Sequence, residues 1–221
     1  MKALRAWAKN LLSRHHADPF INRISGLIHI GASVGQEKDL YAHKNLKVAW
    51  VEPIPAVFAS LQQAIVRYPG QRAFNYLVTD QDDREVPFHI SNNSDSSSIF
   101  ELSSHKEIWP EVAFVDTMMM KTITLPTLVA REHLDLDLYQ ALVLDTQGSE
   151  LLVLKGASSI LRRFEFIKSE VADFESYVGC VQLPELNSYL LTQGFSLMTK
   201  RPFAKSAVGT YYDVVYHRRI S

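Results

Sequence analysis

The sequence predicts an α/β fold, a mostly parallel sheet covered by helices on both faces. Three observations carry this. From Gly26 onward, short apolar runs rich in Val, Ile and Tyr alternate with longer stretches of helical period. A length of 221 residues with 47% hydrophobic content supports one sizeable core. The last two strand-like runs, "FSLMTK" and "TYYDVVYHR", are separated only by "RPFAKSAVG". That spacer is too short for a helical crossover, so the two should pair as an antiparallel hairpin, with the C-terminal strand running against the rest.

Taken in order, the expected strands are "GLIHIGA", "LKVAWVE", "AFNYLVTD", "QALVLDT", "FEFIKSEVA" and the two of the hairpin. Helices are expected near Val34 to His43, Pro55 to Arg67, Ser149 to Arg163 and Leu183 to Gln193. Pro55 suits a first helical turn, where its missing N–H costs nothing, and Gly194 suits a helix stop. In the third of these helices, Leu151, Leu154, Ala157, Ile160 and Leu161 recur on one face. The stretch at about 82–134 is irregular: "EVPFHIS" alternates like a strand, "SNNSDSSS" is a loop, and "MMMKTITLPTLVARE" leads into a helix. It is too long for an ordinary connection and reads as a substrate-side insertion. The domain reading is an N-terminal helical extension over 1–25 and a single domain over 26–221.

Twenty-three Lys and Arg stand against 24 Asp and Glu, a formal net charge of −1, so no global field draws the chain to nucleic acid. A single cysteine, Cys180, excludes intrachain disulfides and CxxC chemistry and fits a reducing compartment. "MKALRAWAKNLLSRHH" is basic and amphipathic, with Arg5 and Lys9 breaking any signal-peptide core. The expectation is a cytoplasmic protein without stable membrane insertion, whose N-terminal helix is a candidate homodimer contact.

"LIHIGASVGQE" ends a strand in Gly31 and turns through Ala32 and Ser33 to Gly35. Small residues let a ligand approach the backbone at the start of a helix. Glu52 closes the next strand about 20 residues on, where a carboxylate can accept both ribose hydroxyls. Asp80, after the third strand, is placed for an adenine amino group. Turn and acid together imply an adenosine-type cofactor, either a dinucleotide such as NAD or S-adenosylmethionine. The spacing does not choose between them.

"QALVLDTQGSELLVLKGASSILRR" runs an apolar strand into a sharp turn and a helix, and Asp145 ends that strand at the edge where open α/β sheets bind ligands. Glu150 lies in the first helical turn, where acids complement the helix dipole. With "HIGASVGQE", "WVEPIPAVFASL" and "FHISNNSDSSSI", the core "LVLDTQGSELLVLKGA" resembles the FkbM family of S-adenosylmethionine-dependent methyltransferases over roughly residues 26 to 200. The resemblance implies a class I methyltransferase (Rossmann-like) fold, with a mostly parallel seven-stranded sheet and an antiparallel C-terminal strand. It implies that Gly31, Ala32, Ser33 and Gly35 contact the methionine part of the cofactor, Glu52 the ribose and Asp80 the adenine, with Asp145 beside the sulfonium. It further implies methyl transfer to a hydroxyl of a sugar, glycolipid or secondary metabolite, so the partner is a small-molecule or saccharide acceptor. His29 stands where the family usually holds an aspartate.

Methyl transfer to an alcohol needs alignment and a base, or a metal that lowers the hydroxyl pKa. Asp145 and Glu170 end neighbouring strands and are the expected base pair, or the ligands if a divalent metal takes part. His89 and His105 are alternative bases expected to be solvated. Ser96 to Ser98 are candidate hydrogen-bonding groups, and Trp109 is either a wall for a sugar face or a loop anchor. Two other readings remain: a nicotinamide-dependent oxidoreductase, and a non-catalytic methyltransferase-like binding protein, the latter prompted by His29.

Overall fold

A computed structural model describes residues 18–219. The amphipathic N-terminal stretch expected as a helix therefore lies, up to residue 17, outside the described residues. What is described of the expected extension is a short 3-10 turn at Pro19–Arg23 that buries Phe20 and Ile21.

Seven strands form the main sheet: β1 Gly26–Ile30, β2 Lys47–Val51, β3 Gln71–Phe74, β7 Ala141–Leu144, β8 Phe166–Ala172, β9 Phe195–Lys205 and β10 Thr210–Arg218. Their order is β3-β2-β1-β7-β8-β10-β9. All pairings are parallel except the two made by β10, which inserts between β8 and β9. The hairpin argument thus gives the observed topology, because nine residues cannot carry a chain back across a sheet.

Strands buried on both faces read as continuous apolar runs rather than as alternation. Ile28, Ile30, Leu142 and Leu144 pack on one side with α3 Leu125–Arg131, α4 Glu150–Gly156 and α5 Leu183–Thr192. Leu27, Trp50, Ala141 and Val143 pack on the other with α1 Lys38–His43, α2 Pro55–Ile65 and Phe20. Pro55 is in the first turn of α2. Gly194 follows α5 at a φ of 84°, a backbone angle that favours glycine.

Three expectations change. The first helix starts at Lys38 rather than near Val34, because Gly31, Ser33 and Gly35 all take positive φ and no helix forms through such a run. The third strand divides at Asn75. Its side-chain amide donates to the carbonyls of Glu52 and Pro53, both at 2.8 Å, and β4 Leu77–Val78 leaves for a second sheet. The helix after Ser149 stops at Gly156, where a Cβ would lie 2.3 Å from the Thr79 carbonyl oxygen; a short 3-10 turn at Leu161–Arg163 follows.

The second sheet has the order β4-β6-β5, with β5 Glu85–Ser91 antiparallel to β6 Phe114–Ile123. Its strands β5 and β6 and the loop between them, residues 85–123, make up most of the irregular segment. The loop between β5 and β6 first folds back on β5 through the bridge His89 to Ser98, then reaches the main domain through the bridge Leu102 to Tyr177. Among the described residues no helix is long and apolar enough to cross a membrane.

Candidate active site

The carboxyl ends of β1, β2, β7 and β8 open into one cavity enclosing about 1110 Å³ of empty space, part of it open to solvent. The β5–β6 loop forms its roof, contributing Asn93 to Ser97, His105 and Trp109.

Gly31 is required by the neighbouring strand. A Cβ there would meet the Asp145 carbonyl oxygen at 1.8 Å, and its φ is 83°. Three backbone donors of the turn are already used: Gly31 and Ala32 N–H both donate to the Val51 carbonyl, at 3.0 and 3.1 Å, and Ser33 N–H donates to Glu52 Oε2 at 2.9 Å. These donors bind the neighbouring strand end rather than a ligand.

Glu52 is buried, and its other oxygen accepts the Ile54 N–H at 2.9 Å. Burial raises its pKa to about 7 against the lowering effect of those two backbone donors, with Asp95 adding to the rise. Asp145 accepts from the Gln147 amide at 2.6 Å, and that amide's oxygen accepts from the Tyr177 hydroxyl at 2.9 Å. Burial, then the neighbouring Glu170, push the Asp145 carboxyl well above the usual range. A fixed carboxylate with raised proton affinity is suited to accept a proton. Glu150 does something different: its Oε1 accepts from the Thr146 and Gly148 N–H groups at 3.0 and 3.1 Å and shapes the turn that presents Asp145.

Glu37, Glu52, Asp95, Asp145 and Glu170 all line the cavity, and among the described residues no lysine or arginine does. Asp95, from "SNNSDSSS", is held up in pKa by burial despite hydrogen bonds with Ser33 and Gln36. Such a lining favours a cationic ligand.

A family model described as the methyltransferase FkbM domain matches residues 29–197. The chain belongs to the FkbM methyltransferase family. No curated protein matches the chain by sequence. Among solved structures it is similar to the magnesium protoporphyrin IX methyltransferase of Synechocystis PCC 6803 with bound SAH, at 11% identity and a TM-score of 0.53 over 97% of this chain and 82% of that one. It is also similar to the METTL16 MTase domain, at 10% identity and a TM-score of 0.51 over 98% and 67%. At such identities the likeness is one of fold, here a class I methyltransferase fold.

Within this FkbM domain the strand ends bring together Gly31, Ala32, Ser33, Glu52, Asp145 and Glu170 in the cavity wall. Two expected residues lie outside the lining. Gly35 packs behind it, where a Cβ would come within 2.7 Å of Leu61. Asp80 follows the detached β4 and backs onto Gly156, while Leu77 and Val78 line the wall instead. His29 faces the cavity and stacks on Trp50 with ring centroids 5.0 Å apart. His89 is away from the cavity and meets Thr117 and Glu101. His105, expected in solvent, is 3% exposed because Trp109, Tyr177 and Tyr211 surround it. Trp109 both lines the cavity and anchors this cluster. Sequence reasoning missed Asp95 and Glu37, since a loop acid and a helix-cap acid carry no local signal of a shared cavity. Among the described residues no group of three or more His, Cys, Asp or Glu is disposed to hold a metal ion.

Proposed function

We propose that this FkbM methyltransferase uses S-adenosylmethionine and transfers its methyl group to a hydroxyl of a sugar, glycolipid or secondary metabolite. The observation that carries the cofactor reading is the cavity's run of five acids, Glu37, Glu52, Asp95, Asp145 and Glu170, around a turn whose Gly31, Ala32 and Ser33 N–H groups are already bonded. A sulfonium and an ammonium are attracted by such a lining. The pyrophosphate of NAD, which needs free N–H donors and cations, is repelled. The residues present fit S-adenosylmethionine: Glu52 would take the ribose hydroxyls, the Gly31 to Ser33 turn and Asp145 the methionine end, and Leu77 and Val78 the adenine face. When bound, the cofactor supplies an electrophilic methyl group.

Asp145 and Glu170, on adjacent strands, face the space where an acceptor oxygen must align with that methyl. Asp145 takes the hydroxyl proton as the carbon–oxygen bond forms. Tyr177 and Gln147 hold its carboxylate for that role. The segment at about 82–134 serves as the acceptor-side cover.

Calorimetric titration with S-adenosylmethionine, S-adenosylhomocysteine and NAD tests the cofactor reading. Binding of S-adenosylhomocysteine without NAD is expected; tight NAD binding with no response to S-adenosylhomocysteine would overturn it. Transfer of a ¹³C-labelled methyl, read by the product's carbon chemical shift, tests the oxygen acceptor. A methyl ether is expected, and an N-methyl or thioether product would refute the choice of atom.

A further inference from the structure

His105 lies in the cavity wall, 3% exposed, and its Nδ1 is 2.7 Å from the Tyr211 hydroxyl. Its other ring nitrogen, Nε2, is buried and makes no hydrogen bond within the described residues. Such an atom is expensive to desolvate unless a partner arrives. The ring is also fixed in place. His105 N–H donates to the Ser176 carbonyl at 3.0 Å, and the ring packs on Trp109, Tyr177 and Tyr211 at centroid distances of 4.7, 5.0 and 5.9 Å.

Strand order says which half of the cavity this is. Glu52 ends β2, the Gly31 turn ends β1 and Asp145 ends β7, so the cofactor spans those three strand ends. Glu170, Tyr211 and Phe203 come from β8, β10 and β9, on the far side of β7. His105 and Trp109 roof that far side, which leaves the space beneath them to the acceptor.

We propose that His105 is an acceptor-binding residue whose Nε2 hydrogen-bonds a hydroxyl of an uncharged, ring-shaped acceptor seated against Trp109, Phe203 and Tyr211. This rests on the methyltransferase reading above. A ring hydroxyl suits the site because it can donate or accept, whichever tautomer Tyr211 selects. Aromatic faces suit the apolar side of a sugar or aromatic ring. A phosphorylated or carboxylated acceptor would meet the acids Glu170 and Asp145, and among the described residues no lysine or arginine lines the cavity. Burial lowers the His105 pKa to about 4 while it raises that of Asp145. An imidazole held neutral by burial is free to bond a hydroxyl through Nε2.

The test uses full-length protein and, as acceptor probes, the methyl glycosides of glucose, mannose, galactose and rhamnose, with mannose 6-phosphate as the charged control. S-adenosylhomocysteine binding is measured first on wild type, H105F and H105Q. Absence of binding to wild type overturns the methyltransferase reading itself. With that binding present and equal within about twofold in all three proteins, labelled-methyl transfer to at least one glycoside is expected, and none to the phosphate. H105F should raise the acceptor KM about tenfold or more with a smaller change in kcat, and H105Q, whose amide can reach the place of Nε2, should recover most of the loss. Cofactor binding with no glycoside methylated, equal use of mannose 6-phosphate, an H105F enzyme within twofold of wild type, or H105Q as poor as H105F would each overturn the inference.

Discussion

Two groups of buried charge lie two residues apart on one face of β8. Lys168 is 2% exposed and is met by Asp18 Oδ2 at 2.6 Å and Asp213 Oδ1 at 4.0 Å, with Arg201 on the other oxygen of Asp18. Glu170 instead joins Asp145, Glu52, Asp95 and Glu37 around the cavity, and among the described residues no lysine or arginine lines it. The first group sets two cations beside two acids and ties the segment before β1 to the sheet. The second gathers acids. Removing one partner of a buried ion pair is costly, whereas acids gathered in a cavity with raised proton affinity suit a ligand that brings positive charge.

The strongest way to break this contrast is to unbalance the first group. Asp18→Ala should destabilise the fold by about 3–5 kcal/mol in chemical denaturation, because it removes the carboxylate 2.6 Å from the buried Lys168 ammonium. S-adenosylhomocysteine affinity of the folded protein should stay the same.

Reducing the charge of the second group should act in the opposite sense. Asp145→Asn should lower methyl transfer at least about a hundredfold. Its unfolding free energy should equal or exceed that of wild type, since a desolvated carboxylate beside Glu170 is removed. Near-intact turnover would displace Asp145 as the base.

Glu52 sharpens the contrast through pH. Its folded pKa, raised from 4.5 to about 7, exceeds its unfolded value, so between those pH values the folded state binds more protons. This contribution to stability is full below pH 4.5 and is lost as pH rises through about 7, amounting to about 3 kcal/mol at about 1.4 kcal/mol per pKa unit. Binding of the cationic cofactor should change in the other direction and strengthen over the same window. Glu52→Gln should flatten both slopes, as followed by denaturation and calorimetry at several pH values.

The smallest effect is expected at His29. Replacing it by aspartate removes its stacking on Trp50 and adds a further acid to the second group, so a loss of about 1 kcal/mol of stability is expected. Cofactor affinity should change by less than tenfold. No binding in the natural protein, with binding restored in His29→Asp, would instead favour a non-catalytic relative.

Much of the cavity floor was legible because its residues end strands. Gly31, Glu52, Asp145 and Glu170 each follow an apolar run, and the end of a parallel strand is a place that periodicity finds. Asp80 lies outside the cavity lining for a physical reason: the Asn75 amide binds two carbonyls of the β2–α2 loop and turns the chain away. Of the roof, Ser96, Ser97, His105 and Trp109 were legible as candidates in the substrate-side insertion, but Asp95 and the burial of His105 were not. Both residues sit in a polar loop whose course is set by the bridges His89 to Ser98 and Leu102 to Tyr177, contacts invisible to local pattern.

The sequence by itself determined the doubly covered sheet, the reversed last strand, the small-residue turn and the acids at the strand ends. These follow from period, spacer length and backbone sterics, all of which act over a few residues. Tertiary structure alone decided which donors were spent, which acids shared a cavity, and that Lys168 would meet Asp18 across 150 positions of chain. Charge compensation and burial depend on which distant groups end up adjacent, and only the folded chain fixes that.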